Sequence, residues 1–333
     1  MPNEGKRLWI DGHVHMLRRP VHGDGTLEYT LDDVLAVLDG CDADLRFIVN
    51  DNNGADVVRF ATEPDFLHVM NERIYRQFVE PSGGRLFGSV QIDPRALKQS
   101  HADLDLYLEE RNFVQVGEVE GMPFGFDLDC PEMVELARHA AALKAPVELH
   151  CSTADSPTGE HLRQALNLAA QVPECNFIIA HAIGGRNTYQ YVSAIEQYLA
   201  RGLDNVYLEI IQFHLRAHLR AAYEHLGPDR LVVGTDWATY HNPPWPPYGT
   251  HTTLLAHPEF WRNPGLKGFS QWNSEFWFSS MFMLDLRENP YPARVESLVG
   301  FMREAGFSEE DIEKVGSGNA IRLFRLREKG LIP

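Results

Sequence analysis

The chain has 333 residues, 44% hydrophobic and 23% charged, which is typical of a globular protein with a large core. Its formal net charge is −17 and it has no Lys/Arg block, so nucleic acid is excluded as the expected partner, because phosphate binding needs a basic surface. Apolar runs are too short to span a bilayer, and residues 1–13 lack the apolar core of a signal peptide. We therefore predict a cytoplasmic protein with no membrane partner.

The cysteines support the same compartment. Four are present, far apart and without C-x-x-C spacing: Cys41, Cys130, Cys151 and Cys175. Sparse cysteines in a long chain are typical of free thiols in a reducing environment. They predict neither a zinc ribbon nor a redox motif.

Eight short segments rich in branched apolar residues recur along the chain, and each is predicted to be a buried strand. Near-continuous apolar strands are typical of a parallel sheet that is covered on both faces. The predicted strands are residues 8–15, 45–51, 85–93, 113–121, 145–152, 176–185, 205–211 and 230–238.

Segments of helical periodicity separate these strands. Thr30 is a predicted N-cap of a helix that ends at Gly40, and Pro131 is predicted at the first position of another helix. Eight strand–helix units predict an α/β fold of the (β/α)₈ barrel type, as a single domain over residues 1–333. The competing fold, a doubly wound sheet, needs fewer strands and a glycine-rich phosphate-binding turn, which is missing here.

An irregular segment rich in Pro, Gly and Trp follows the eighth strand at residues 239–273. Long loops in compact domains are usually functional or disordered, and the aromatic content favours ordered packing. Residues 270–284 are apolar enough for a buried helix or a subunit interface, and burial is the favoured interpretation. A homo-oligomer remains an open alternative.

Polar side chains stand where the first strand ends. His13 and His15 are two residues apart, with Asp11 before them. Since alternate residues of a strand face the same way, we expect these three side chains on one side of the strand. In a barrel that side is the axis at the carboxyl-terminal mouth, where active sites of this fold lie.

Other predicted strands end in similar residues: Glu118, His150, His181 and Asp236. A single His or Asp at a strand end is more often a hydrogen-bonded structural residue. The recurrence on separate strands instead predicts a divalent metal site, most often Zn²⁺, because imidazole and carboxylate are the usual ligands. The histidines in helical segments are predicted to lie on the surface: His139, His161, His218 and His225.

This set of motifs resembles the amidohydrolase superfamily, in particular the branch that holds aminocarboxymuconate-semialdehyde decarboxylase. The motifs are "IDGHVH", "ELHCS", "IIAHAIGG", "GTDW" and "GSGNAIRLF", and they follow the family's order over almost the whole chain. The resemblance is specific for the fold and the metal site but not for the substrate. It gives Asn319 of the last motif a structural role.

The resemblance implies individual roles. It makes His13, His15 and His150 metal ligands, and it makes Asp236 a ligand that also accepts the proton of the attacking water. His181 is a ligand of a second metal in two-metal members and an activating residue in one-metal members.

The chain departs from the family pattern on strand 4. Many members of this branch carry a Lys in "GVK" there, whereas this chain reads "VGEVEG". An acidic residue at that place resembles the bridging glutamate of two-metal relatives, so Glu118 is a candidate bridge with His181 as partner. The alternative is that Glu118 supports the ligands or contacts the substrate. One Zn²⁺ or two, or another divalent ion such as Mn²⁺, therefore remain open.

This chemistry predicts a metal-dependent hydrolase that uses metal-activated water on an amide, lactone or similar bond of a small molecule. The same residues also suit a metal-dependent decarboxylase, or a hydratase, of a small carboxylic acid. A third reading, a catalytically inactive ligand-binding barrel, would be marked by a missing ligand, and none is missing.

Substrate contacts are expected in the loops above the mouth. Arg186 is a candidate for gripping a carboxylate, against the alternative of a surface residue. The side chains of Trp237, Tyr240 and His241 are candidates for an aromatic wall, although they also suit packing of the long loop on the barrel.

Overall fold

The computed structural model describes residues 5–16, 18–20, 26–28, 30–51, 62–121, 125–151, 160–180, 188–210, 216–235, 237–238 and 295–333. Within them the predicted (β/α)₈ barrel is confirmed, because parallel strands alternate with helices and pair in one nearly closed sheet. The strands are β1 Leu8–His15, β2 Asp44–Asn50, β3 Leu86–Val90, β4 Phe113–Val119, β5 Val147–Leu149, β6 Phe177–Ile179, β7 Val206–Ile210, β8 Leu231–Val233 and the short β9 Trp237–Ala238.

The helices are α1 Leu31–Asp39, α2 Leu67–Ile74, α3 Leu97–Glu110, α4 Pro131–Ala142, α5 Glu160–Gln171, α6 Thr188–Ala200, α7 Arg216–Leu226, α8 Val295–Glu304, α9 Glu309–Glu313 and α10 Asn319–Leu323. The predicted helix starts are confirmed: Thr30 caps α1 by accepting from the Asp33 backbone, and Pro131 begins α4. A two-stranded antiparallel ribbon, Arg18–Pro20 with Thr26–Glu28, follows β1. In the described part of the chain, no helix is both long and apolar enough to cross a membrane.

The eighth barrel strand is divided into two pieces, and the two pieces together close the barrel. β8 pairs with β7, while β9 pairs with the end of β1 through Val14 and His15. Between the two pieces, the Asp11 carboxylate accepts hydrogen bonds from Thr235 N at 2.9 Å and Thr235 Oγ1 at 2.5 Å. The first and last strands are thus joined by a side chain as well as by the backbone.

The barrel interior is apolar at its amino-terminal end. One apolar side chain from each of six strands meets the C-terminal segment there: Ile10, Ile48, Phe87, Val114, Ile178, Val232, Leu323, Phe324 and Leu326. The Nδ2 group of Asn319 donates to the carbonyls of Pro228 and Leu231, both at 2.7 Å, which ties this segment to β8. Because the amino-terminal end of the barrel interior is filled by apolar side chains, the polar side chains lie toward the carboxyl-terminal end.

Two helical histidines predicted on the surface are buried instead. His161 and His218 are 6% and 1% exposed, because each lies on the face of its helix that packs against the barrel. His139 is half-buried and His225 is exposed, as predicted for the latter. Burial lowers the pKa of His218 to about 4.

We expect His218 to make folding acid-sensitive. Between its ordinary pKa of 6.5 and about 4, the unfolded chain protonates this imidazole and the folded chain does not, so stability is lost as pH falls through this window. The loss by about pH 4.5 should be roughly 2–3 kcal/mol. Urea unfolding at neutral and acidic pH should therefore show a smaller acid loss in His218→Leu than in the wild type. His225→Leu, an exposed change in the same helix, is the control, and an equal acid loss in all three proteins would contradict the prediction.

Candidate metal centre at the mouth of the barrel

The end of β1 brings two imidazoles together. The Nε2 atoms of His13 and His15 are 2.9 Å apart, and both side chains are buried. Relative to β2, the first strand carries one extra residue between Asp11 and Val14. This bulge breaks the simple alternation on which the sequence argument rested. The Asp11 carboxylate, expected beside the histidines, accepts from the His13 backbone and from Thr235 instead.

Both imidazoles are held through their other nitrogen. His15 Nδ1 lies 2.6 Å from Asn50 Oδ1, and His13 Nδ1 lies 3.0 Å from Glu209 Oε2. Since amide and carboxylate oxygens accept hydrogen bonds, each Nδ1 carries the proton and each Nε2 presents its lone pair. Metal-ligating histidines are usually fixed in this way.

Glu118 completes a three-residue group with these histidines. Its Oε2 is 3.3 Å from His13 Nε2 and 3.6 Å from His15 Nε2. Donor atoms held about 2.0–2.2 Å from a tetrahedral ion are roughly 3.3–3.6 Å apart, so both distances to Glu118 fit one small cation, while the 2.9 Å between the two imidazole nitrogens is shorter than that range. Two register shifts in β4, one against β3 and one against β5, each add a residue to β4 before Val119, so strict alternation does not set the side on which Glu118 lies.

The other oxygen of Glu118 belongs to a second group. Glu118 Oε1 is 2.6 Å from His150 Nδ1. Glu118, Glu120 and His150 also offer donor atoms that lie within 4.8 Å of one another. The structure thus brings together four predicted site residues, with Glu118 shared between the His13–His15 pair and His150.

Two further glutamates lie behind His13. Glu209 accepts from His13 Nδ1, and Glu148 Oε1 lies 3.4 Å from the same nitrogen. Gln115 Nε2 donates to Glu148 at 2.6 Å. Glycine at position 234 makes room for this layer, because a Cβ there would be 1.6 Å from Glu209 Oε1.

Sequence reasoning missed Glu148 and gave Glu209 no role. The available signal was a charged residue inside each of two otherwise apolar strands, "VEL" and "VYLEI". Such a residue in a buried strand needs a buried partner. The partner, His13, is remote in sequence, so the signal alone could not name it.

The carboxylates around His13 favour a bound cation. Burial by itself would lower the pKa of His13, but the negative charges of Glu148, Glu209 and Glu118 outweigh it and hold that pKa well above its ordinary value. Burial raises the pKa of the Glu148 carboxyl well above its ordinary value. Buried carboxylates gathered around imidazoles need a positive charge, which a bound metal ion would supply in place of the proton, so the donor set fits a divalent metal.

Five predicted site residues lie outside the described residues: His181, Arg186, Asp236, Tyr240 and His241. Trp237 is described only as backbone of β9, and the apolar segments at 239–273 and 270–284 are outside as well. Their predicted roles stay predictions. Cys151, next to His150, is buried and its thiol pKa is raised by that burial, which does not favour a nucleophile.

Glu209→Gln should weaken metal binding by about 10–100-fold, because the charge that orients His13 and strengthens it as a ligand is lost. Metal titration of the metal-free protein measures this change. Glu148→Gln is the matched control, since Glu148 Oε1 lies 3.4 Å from His13 Nδ1, farther than the 3.0 Å of Glu209 Oε2. Equal affinities in Glu209→Gln and wild type would mean that Glu209 does not support the metal.

Comparison with known proteins agrees with the fold. A family model described as amidohydrolase matches residues 10–326. A search of curated proteins found no match.

Solved structures share the fold at low sequence identity. The 5-carboxyvanillate decarboxylase LigW from Sphingomonas paucimobilis is 14% identical with a TM-score of 0.62, covering 96% of this chain and 99% of that one. The 4-oxalomesaconate hydratase LigJ from Rhodopseudomonas palustris is 14% identical with a TM-score of 0.62, covering 97% and 98%. A dihydroxybenzoic acid decarboxylase from Polaromonas sp. JS666, with bound manganese and the inhibitor 2-nitroresorcinol, is 16% identical with a TM-score of 0.54, covering 98% and 99%.

Proposed function

Because this chain is a member of the amidohydrolase family, an enzyme family that depends on a metal, we propose that it is a hydrolase of a small molecule. The bond it cleaves is an amide, a lactone or a similar bond. The observation that carries the proposal is the position of Glu118, which joins two groups of metal-competent side chains.

A shared carboxylate favours hydrolysis because paired divalent ions are a common device of hydrolytic enzymes. In the first group, Glu118 lies beside His13 and His15, and in the second it lies beside Glu120 and His150. If two divalent ions bind here, His13, His15 and Glu118 would hold one and Glu118, Glu120 and His150 the other, and the pair would supply the positive charge that hydrolysis needs. We propose zinc as the ion in both positions. Manganese is the alternative, since the Polaromonas decarboxylase binds it.

Different residues of this chain have separate roles in the proposed reaction. When bound, a divalent metal polarises the substrate carbonyl and makes water more acidic. Asn50 and Glu209 keep the imidazoles of β1 in the tautomer that presents Nε2. Asp236 accepts the proton of the attacking water and returns it to the leaving group, and His181 stabilises the oxygen that gains negative charge.

Substrate recognition is proposed for the loops above the metal. Arg186 binds a carboxylate of the substrate through paired hydrogen bonds. Trp237, Tyr240 and His241 form an aromatic wall beside it. Glu148, Glu209 and Gln115 form a buried polar layer on the Nδ1 side of His13, so bulk solvent does not reach His13 from that side.

Decarboxylation, or hydration, of a small carboxylic acid is the second candidate. The observation in its favour is that LigW, LigJ and the Polaromonas enzyme share this fold and are a decarboxylase, a hydratase and a decarboxylase. These ligands and reactions are those of the three relatives. A barrel mouth lined by imidazole and carboxylate side chains nevertheless suits decarboxylation or hydration too.

A panel of lactones, amides and aromatic carboxylic acids, offered to the zinc-loaded protein, tests the proposal. We expect acid release from a lactone or amide without release of CO₂. Release of CO₂ from an aromatic acid would overturn hydrolysis in favour of decarboxylation. Tight binding of a panel member without turnover would point to the non-catalytic barrel.

A further inference from the structure

A second pair of facing histidines lies outside the barrel wall, between α3 and α4. His101 belongs to α3 and His139 to α4, and their ring centroids are 4.7 Å apart. The Nδ1 atom of His101 directly contacts the Nδ1 atom of His139. This pair takes no part in the site at the mouth.

Each ring is held by a carboxylate from the opposite helix. His101 Nε2 is 2.9 Å from Glu135 Oε1 on α4, and His139 Nε2 is 2.7 Å from Asp105 Oδ1 on α3. On each helix the histidine and the acid are four residues apart, so they share one face and the two helices present matching pairs.

These contacts decide which ring atoms carry protons. A carboxylate oxygen accepts a hydrogen bond, so each Nε2 is the donor and bears the hydrogen. Each neutral ring then presents a bare lone pair at Nδ1, and the two lone pairs face one another. Two lone pairs in contact repel, so a positive charge is needed there: a proton shared by the two Nδ1 atoms fits the rings as they lie, whereas a metal ion bound to both atoms needs the rings slightly farther apart.

Three observations favour a metal ion. The arrangement repeats that of His13 and His15, whose Nε2 atoms also converge while an acceptor holds each Nδ1 atom. A carboxylate behind the distal nitrogen is typical of metal-ligating histidine. The two acids add negative charge, and the imidazoles are 28% and 23% exposed, which leaves room for water ligands.

We propose that His101 and His139 form a second metal site on the outer face of the barrel. It takes a divalent transition-metal ion that prefers imidazole, Zn²⁺ or Cu²⁺, with both Nδ1 atoms as ligands and water in the remaining positions. The side chains of Glu135 and Asp105 orient the rings. A bound ion would clamp α3 to α4.

Zinc content and thermal unfolding of the full-length protein test the site. After dialysis against Zn²⁺, the wild type should hold one more equivalent than the double variant His101→Gln/His139→Gln, and added Zn²⁺ should raise its melting temperature further. Catalytic activity of the two proteins should be equal, because neither residue belongs to the mouth. The paramagnetic resonance spectrum of added Cu²⁺ should show a two-nitrogen site in the wild type that the double variant lacks.

Two other variants sharpen the test. Glu135→Gln should keep the extra equivalent but bind it about tenfold more weakly. His225→Gln, which removes an exposed histidine elsewhere, should match the wild type in zinc content. Equal zinc content and equal Cu²⁺ spectra in the wild type and the folded double variant would overturn the proposal and leave a shared proton between the rings.

Discussion

Glu118→Gln should lower turnover by about 10²–10³-fold and reduce the bound metal from two equivalents to one. The glutamine retains an oxygen that can accept from His150 Nδ1. It places a neutral amide where Oε2 now faces His13 and His15, so it no longer bridges the two groups through charged oxygens. Metal analysis of the purified variant, together with its kcat on the best substrate of the panel, measures both effects.

Glu148→Gln is the matched control for this variant. Glu148 is buried to the same degree and also lies beside His13, but it belongs to no group that includes Glu118. The control should keep both equivalents and most of its activity. If Glu118→Gln retains two equivalents, the bridging role is wrong, and if it also retains full turnover, Glu118 is not part of the catalytic machinery.

Asp236→Asn should reduce turnover by about 10²–10⁴-fold while most of the metal stays bound. Asparagine has the shape of aspartate but cannot take the proton from water at neutral pH. Asp236 itself lies outside the described residues, but its sequence neighbours are fixed: Thr235 by Asp11, and Trp237 by pairing with Val14. The histidines and Glu118 remain to hold the metal, so the loss should appear in kcat and in its pH profile rather than in metal content.

The surface variant Asp204→Asn controls for the loss of one negative charge. The side chain of Asp204 is 99% exposed and lies in a turn between α6 and β7. We expect wild-type turnover from it. Full activity in Asp236→Asn would remove the proposed proton acceptor, whereas loss of all metal would make Asp236 chiefly a ligand.

The barrel could be predicted from the sequence because its strands are local features. A strand buried on both faces is apolar over most of its length, so each of the eight apolar runs can be recognised in the sequence, as "LWIDGHVH" and "LRFIVN" can. The N-cap Thr30 and the first-turn proline Pro131 mark helix starts for equally local reasons. The end of each strand also shows which residues can reach the mouth, and this was enough to select His13, His15, Glu118 and His150.

Tertiary structure decided which of those side chains meet and what supports them. A bulge in β1 follows Asp11, whose carboxylate binds Thr235, and one bulge of β4 precedes Glu118 while the other contains it. Alternation alone could therefore not assign either residue. His13 and Glu209 are hydrogen-bonded although they lie 196 residues apart in the sequence. His101 and His139 are in contact although they belong to different helices. Sequence reports the periodicity within an element, whereas register shifts and contacts between elements arise only when the sheet closes and the helices pack upon it.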